Sequence, residues 1–352
     1  MRYAMKTLKR MAALLLCIGA LFALPACGST AATEKQLFAM NSAISIKAYG
    51  KSAEAGIDSA VSVINSLDAA LDPERDGSTA YAINHAQGQS VVVTGQVAEM
   101  LQTMKSVYEL SGGAFDPSVY PLVKAWGFVD GLYRVPSESE IDGLLKNVGF
   151  SAASLSAMTD TDSWLFTMPA GMEISFAAVG RGCAAMYAAR AMQVAGVDAG
   201  IVSIGGNIQT FGEKPDGSDW IIAIQNPNNT ADYICKLNLD GAQAVVTSGV
   251  MQRYFIDDDG ELRSHLIDPG DGYPVGGGLL SATVVCDDGI LADALSTALC
   301  VMGEDKAVRL YEKNTGFEML LVTDDGRIIV SEGLSASFER SNDDYSAEYV
   351  SR

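Results

Sequence analysis

At 352 residues with 48% hydrophobic content, the chain is long enough for one large domain or two ordinary ones and too apolar to be disordered. Its 43 acidic residues against 24 basic ones leave a formal net charge of −19, which excludes a nucleic-acid partner and repels anionic lipid.

Arg2, Lys6, Lys9 and Arg10 precede "MAALLLCIGALFAL", which is short for a membrane span and has the charged start and small-residue ending of an export signal. The segment ending "LPAC" resembles a bacterial lipobox, with Cys27 lipidated as the mature N-terminus, although Pro25 is unusual there. The competing reading is an ordinary signal peptide with an incidental cysteine. The sequence therefore predicts a lipoprotein signal over 1–26, a lipid-anchored tether over 27–36, one domain over 37–340 and a polar, fraying tail over 341–352. The expected location is the extracytoplasmic face of a bacterial cell membrane, touched only through the lipid.

"LFAMNSAISIKAYG" alternates as a first strand ending at Gly50, and Ile57, Val61, Ile64, Leu67 and Leu71 follow at helical spacing. A second helix is predicted from about Gln96 to Leu110, stopped by Gly112-Gly113. "AFDPSVYPLVKAWGF" is rich in turn residues and aromatics. "GRGCAAMYAARAMQVAG" is helical to Gly196 and feeds "GIVSIGGN", a buried strand closing in two glycines. "KPDGSDWIIAIQNP" gives a turn and a strand. Further strands are predicted at "AQAVVTSG", "QRYFID" and "LLSATVVCD", with "DDDG" turning the second back into "LRSHLID" as a hairpin. A helix from Gly289 to Met302 ends at Gly303. No fixed-period repeat or regular βαβ rhythm is present, so the fold class is α+β, one domain with mixed or antiparallel sheets and packed helices.

Asp293 and Thr297 in "LADALSTAL" lie at i and i+4, presenting an anionic and a neutral oxygen on one helix face, as a hard cation such as Mg²⁺ requires. On the pair alone the plainer account is stronger: an Asp favoured by the helix dipole and a Thr bonded to its own i−4 carbonyl. The glycine-rich run "AAVGRGCAAMY" with Arg181 fits either a phosphate or close helix packing. Asp116 before Pro117 reads as an Asx turn. Of the two histidines, His85 reads as a surface-loop residue and His265 stands where a strand gives way to a turn. Cys183, Cys235, Cys286 and Cys300 lack metal spacing and read as free core thiols.

Four segments in order, "GGAFDPSVYPLVKAWGF", "IVSIGGNIQTFGEKPDGSDWIIAIQNP", "HLIDPGDGYPV" and "ADALSTALCVMG", resemble the ApbE family of FAD:protein FMN transferases, over about Phe38 to Phe338. The resemblance implies a T-fold-like architecture and a Mg²⁺ site at Asp293, Thr297 and the main-chain carbonyl of Ala178, which Mn²⁺ would also suit. It implies FAD contacts at Met40, Ala114, Phe115, Asp116, Ser175, Arg181 and Ile267. The implied reaction moves FMN from FAD to a threonine hydroxyl of an exported flavoprotein domain and releases AMP, with His265 as general base or orienting group and Asp293 essential to the chemistry. The family's acidic residue is Ser175 here, its lysine is Arg181, a frequent tyrosine is Glu74, another is Met251, and the threonine of "DPxTG" is Asp271. These departures keep two alternatives open: an FAD pyrophosphatase releasing FMN and AMP, and a non-catalytic FAD-binding lipoprotein.

Overall fold

Nine strands stand side by side in the order in which the chain reaches them: β1 Thr33–Ala39, β2 Ser42–Tyr49, β3 Ala199–Ile204, β4 Asn207–Phe211, β5 Ala244–Gly249, β6 Leu279–Cys286, β7 Glu318–Thr323, β8 Arg327–Ser331 and β9 Ser346–Val350. Neighbours are antiparallel throughout, except that β9 runs parallel to β8. This computed structural model describes residues 31–159 and 161–352, so the predicted signal segment and Cys27 lie outside the described residues.

Successive side chains of a strand point to opposite faces, and both faces of this sheet are covered. On one side lie helices α1 Ala53–Leu71, α2 Gly95–Leu110, α3 Gly180–Val194 and α4 Gly289–Met302, which bury Ile44, Ile46, Val202, Ile204, Val246, Val284, Met319 and Leu321. On the other, a three-stranded sheet of Trp220–Asn226, Asn229–Leu239 and Phe338–Arg340 buries Val245, Val285, Leu320, Val322, Ile328 and Val330 against Trp220, Ile222 and Ile224. Burial on both faces explains why "MLLV" and "RIIV" are apolar without alternation. Each fully buried Leu or Ile such as Leu320 or Ile328 contributes roughly 1.5–3 kcal/mol of transfer free energy.

Helix α3 carries mostly glycine and alanine where it meets other elements, and Gly182, Cys183, Ala184, Ala185, Ala188 and Ala189 are all buried. Small side chains let it sit between α1, α4 and the sheet. A third cluster of Leu122, Trp126, Phe128, Ile141 and Ile267 lies under the short helices Tyr120–Ala125 and Glu138–Leu145. The hairpin of Tyr254–Ile256 with Leu262–Ser264 borders it, as "DDDG" predicts.

Most predicted elements are present, including the four buried, free cysteines, and the architecture is α+β. Three expectations need correction. The first predicted strand is a hairpin, because Met40 and Asn41 both turn back at positive φ (54° and 52°). The tether region enters regular structure by Thr33, where β1 begins. The tail does not fray: Tyr345 is buried, Ser346–Val350 adds a strand, and Arg352 pairs with Glu318 at 2.9 Å. The helix Glu304–Lys313 and strands β4, β7, β8 and Asn229–Leu239 were not foreseen. No helix among the described residues is long and apolar enough to cross a membrane.

Candidate functional site

The short turns β1–β2 and β3–β4 lie at the same end of the sheet, where Ile44 pairs with Ile204. Helix α3 begins beside them: a Cβ on Gly180 would touch the Met40 methyl at 3.6 Å, and one on Gly205 would lie 3.6 Å from Arg181 Cδ. Met40 is fixed in its turn by its N–H, which donates to Asp68 Oδ1 at 2.8 Å.

Helix α4 crosses α3 at two glycines. A Cβ on Gly182 would stand 2.0 Å from the Gly289 carbonyl oxygen and 2.8 Å from Asp293 Cβ, so only glycine permits this approach. The approach lets the Gly182 N–H donate to Asp293 Oδ2 at 2.9 Å. The helix begins at Gly180, so the Gly182 N–H is a first-turn donor with no acceptor inside the helix, and Asp293 supplies one. The Ala178 carbonyl precedes the helix and accepts no backbone N–H.

The plain account of Asp293 and Thr297 now fails on both counts. Asp288 is the residue that caps α4, its Oδ1 accepting from Ile290 N at 2.8 Å and Leu291 N at 3.1 Å. Thr297 Oγ1 does not bond the Asp293 carbonyl; Ser296 Oγ does, at 2.9 Å, while Thr297 meets Ser248 Oγ at 3.1 Å. Ser248 also contacts Ser296 Oγ at 2.8 Å and thereby fastens α4 to the end of β5.

Asp293 is 1% exposed. Burial pushes its pKa up, while Arg181, the Gly182 N–H and the Asn207 side chain favour the charged form. A buried donor beside it, Arg181 Nε, has no hydrogen-bond partner. A buried carboxylate and an orphaned donor are costly unless something completes them. One carboxylate, one hydroxyl and one free carbonyl suit Mg²⁺, which keeps several waters and takes the rest of its shell from substrate phosphates. No group of three or more His, Cys, Asp or Glu among the described residues offers a competing metal site.

His265 follows directly on the strand Leu262–Ser264. Its Nδ1 lies 3.2 Å from the Arg253 carbonyl oxygen, which can only accept, so Nδ1 carries the proton and Nε2 the lone pair. Burial, with Arg253 and Arg181 nearby, lowers its pKa to about 4 and keeps the ring neutral. Arg181 thus influences both Asp293 and His265.

Other predicted contacts are placed differently. Phe115 is 2% exposed within the helix-side core. Asp116 caps the short turn Pro117–Val119, with Oδ1 accepting from Ser118 N at 2.8 Å and Oδ2 from Phe150 N at 3.2 Å. Burial raises its pKa against those hydrogen bonds. The Asx-turn reading holds; both side chains are engaged within the protein, and half-buried Ala114 is the more exposed neighbour. Ile267 is likewise packed against Trp126 and Phe128. Ser175 Oγ accepts from Ala177 N at 3.2 Å, and its own N–H bonds Pro117 O at 3.2 Å, tying the two segments together. Glu74 accepts from Tyr120 Oη at 2.7 Å. Asp271 holds Tyr273 N at 2.9 Å, the turn-closing task a threonine hydroxyl would also perform. His85 ends a short helix, exposed and stacked on Tyr81.

Asn207 and Ser248 were missed by sequence reasoning, though each follows a quoted glycine- or threonine-containing motif. A separate cleft of about 600 Å³ opens on the opposite sheet face between Ser45, Ser203, Thr247 and the strand Trp220–Asn226; it reaches this site only at Gly205-Gly206.

Residues 40–321 match the sequence model of the ApbE family. The FAD:protein FMN transferase of Rhodobacter capsulatus is 31% identical over 255 residues, 72% of this chain but 47% of that protein, so the chain spans about half the relative's length. The FAD:protein FMN transferase of Klebsiella pneumoniae is 29% identical over 83% of this chain and 89% of its own. Among solved structures, the ApbE protein of Thermotoga maritima aligns with TM-score 0.80 at 29% identity, covering 88% of this chain and 100% of that one. The apo flavinyl transferase ApbE of Pseudomonas stutzeri aligns with TM-score 0.76 at 28% identity, covering 89% and 98%.

Proposed function

The chain belongs to the ApbE family, and we propose that it is a Mg²⁺-dependent FAD:protein FMN transferase, moving FMN from FAD to a threonine hydroxyl of an exported flavoprotein domain and releasing AMP. The observation that carries this reading is the Gly182 N–H to Asp293 bond, which fixes a buried carboxylate at the first turn of α3. Asp293, Thr297 and the Ala178 carbonyl would hold the ion. When bound, Mg²⁺ supplies charge neutralisation at the pyrophosphate.

The chain's own groups do the remainder. Arg181 supplies fixed positive charge at the start of α3, where helix geometry already favours an anion. His265, neutral and with its lone pair on Nε2, accepts the proton of the incoming hydroxyl. The Ser248 hydroxyl holds Thr297 in place. Ser175 leaves this segment without the family's carboxylate but with a donor and acceptor. Anchoring through Cys27 outside the cell membrane belongs to the same proposal, supported by the sequence of the first 27 residues.

The test combines the protein with FAD, Mg²⁺ and an FMN-accepting domain whose target threonine is known. A covalently fluorescent acceptor band and one AMP per FMN transferred are expected. No band, beside a control transferase that gives one, ends the proposal; free FMN and AMP without acceptor would point instead to a pyrophosphatase.

A further inference from the structure

Monomeric surfaces seldom expose contiguous large apolar side chains without a use for them. Here four stand on one loop, 127–135: Val129, Leu132, Tyr133 and Val135, with Leu132 73% exposed; Tyr254 and Ile256 on the neighbouring hairpin are exposed as well, on the strand face opposite to Phe255. We infer that this patch is the docking surface for the acceptor protein, an inference that rests on the transferase reading above.

The patch is built to be rigid. Tyr133 stacks on Phe255 with ring centroids 5.2 Å apart and planes 11° apart, and Phe128 lies 5.4 Å from the first ring and 5.8 Å from the second. The loop folds back so tightly that a Cβ on Gly127 would stand 2.1 Å from the Leu132 carbonyl oxygen. Gly131 N–H donates to Gly127 O at 3.0 Å, and Leu132 N–H to Asp130 Oδ1 at 2.9 Å. A loop ordered by its own contacts, yet showing its largest side chains to solvent, offers little entropy cost to a binder.

Position selects the occupant. The hairpin that carries Tyr254 and Ile256 runs straight into His265, whose N–H donates to Arg253 O at 3.0 Å and whose ring meets the edge of Phe128 at 6.4 Å. A threonine presented to His265 brings a protein surface with it, and that surface must rest on what lies next to the imidazole.

Charge narrows it further. Exposed Asp130, Asp258, Asp259 and Glu261 lie on the same loop and hairpin, against exposed Arg253; Arg134 is paired with Glu140 and Arg263 with Asp257. An acidic rim repels anionic lipid and favours an acceptor with apolar side chains near its threonine and basic residues around them.

The test uses the full chain and its Leu132→Ser/Val135→Ser double variant, with an exported FMN-accepting domain of known target threonine, expressed without flavin, as probe. Both positions are exposed, and unchanged FAD affinity verifies the fold. The expected result is a KM for the acceptor raised about tenfold or more with kcat within twofold, and a wild-type KM that rises with salt. An unchanged acceptor KM in the variant, while the wild type transfers, overturns the inference. So does a double variant that loses vesicle binding or self-association with its acceptor KM intact. A wild type that transfers nothing removes the transferase reading itself.

Discussion

The backbone N–H of Gly182 meets Asp293 Oδ2 at 2.9 Å because Gly289 leaves room for the two helices to touch. The position of the carboxylate proposed to hold Mg²⁺ is therefore set by residues with no side chain. Gly182→Ala puts a methyl group into the Gly289 carbonyl, and overpacking of that kind costs about 1–3 kcal/mol. Urea unfolding should show that loss with an unchanged m value, and FMN transfer should fall much further than stability, because the Asp293–Ala178 geometry is what moves. Equal, small losses in both would separate the glycine contact from the site.

Asp293→Asn keeps the volume and removes the charge. Wild-type protein should gain thermal stability on adding Mg²⁺ or Mn²⁺ with FAD present, following the mass-action shift expected of a ligand that binds only the folded state. The variant should show no metal-dependent shift, and transfer should fall by about 10²–10³ or more. A metal response that survives in the variant would move the ion elsewhere.

His265 sets a pH signature. Its folded pKa is lowered to about 4 from an ordinary value of 6.5. Between those values the unfolded chain takes up a proton that the folded chain refuses, so this residue's contribution to stability is full above about pH 6.5 and lost as pH falls toward 4. The acidic limb of kcat/KM should accordingly lie well below pH 6 and vanish in His265→Gln, whose rate should drop about 10²–10⁴. NMR titration of the half-buried His265 ring is the direct check; a midpoint near 6.5 contradicts the lowered pKa.

The C-terminal strand can be weighed separately. Tyr345 is 5% exposed, and its hydroxyl donates to Asn226 Oδ1 at 2.8 Å. Tyr345→Phe should cost about 1 kcal/mol for the hydrogen bond, and Tyr345→Ala about 3–5 kcal/mol for the cavity as well. Removal of residues 341–352 should be at least as damaging in a thermal melt. A truncated protein as stable as the whole would restore the frayed tail that its polar composition suggests.

What the sequence made legible was whatever depends on neighbours along the chain. The helix Gly289–Met302 was foreseen to the residue, because its periodic apolar run ends at Gly303, whose φ of +75° stops it. Met40 carries no turn signal, so two strands were read as one. In the tail, Tyr345 is the only side chain whose deep burial betrays a strand, and its neighbours are polar because β9 lies at the sheet edge. Within the site, the pair Asp293 and Thr297 was visible as an i, i+4 spacing. The bond from the Gly182 N–H to Asp293 was not, since it arises where two helices distant in sequence cross. For Phe115 and Asp116 the sequence showed an Asx turn but not the burial of both side chains, which residues distant along the chain such as Phe150 provide.

The two-residue turn at Gly205-Gly206, with φ of +58° and +92°, pairs Ile204 directly with Asn207. Tolerance for added length is therefore uneven around the sheet. One extra residue that slips this register by one would carry Asn207 from the helix-covered side to the cleft side, taking its amide away from Asp293. At the other end, the exposed turn around Asp216-Gly217 has open space around its glycine, and an insertion there leaves every named site residue in register.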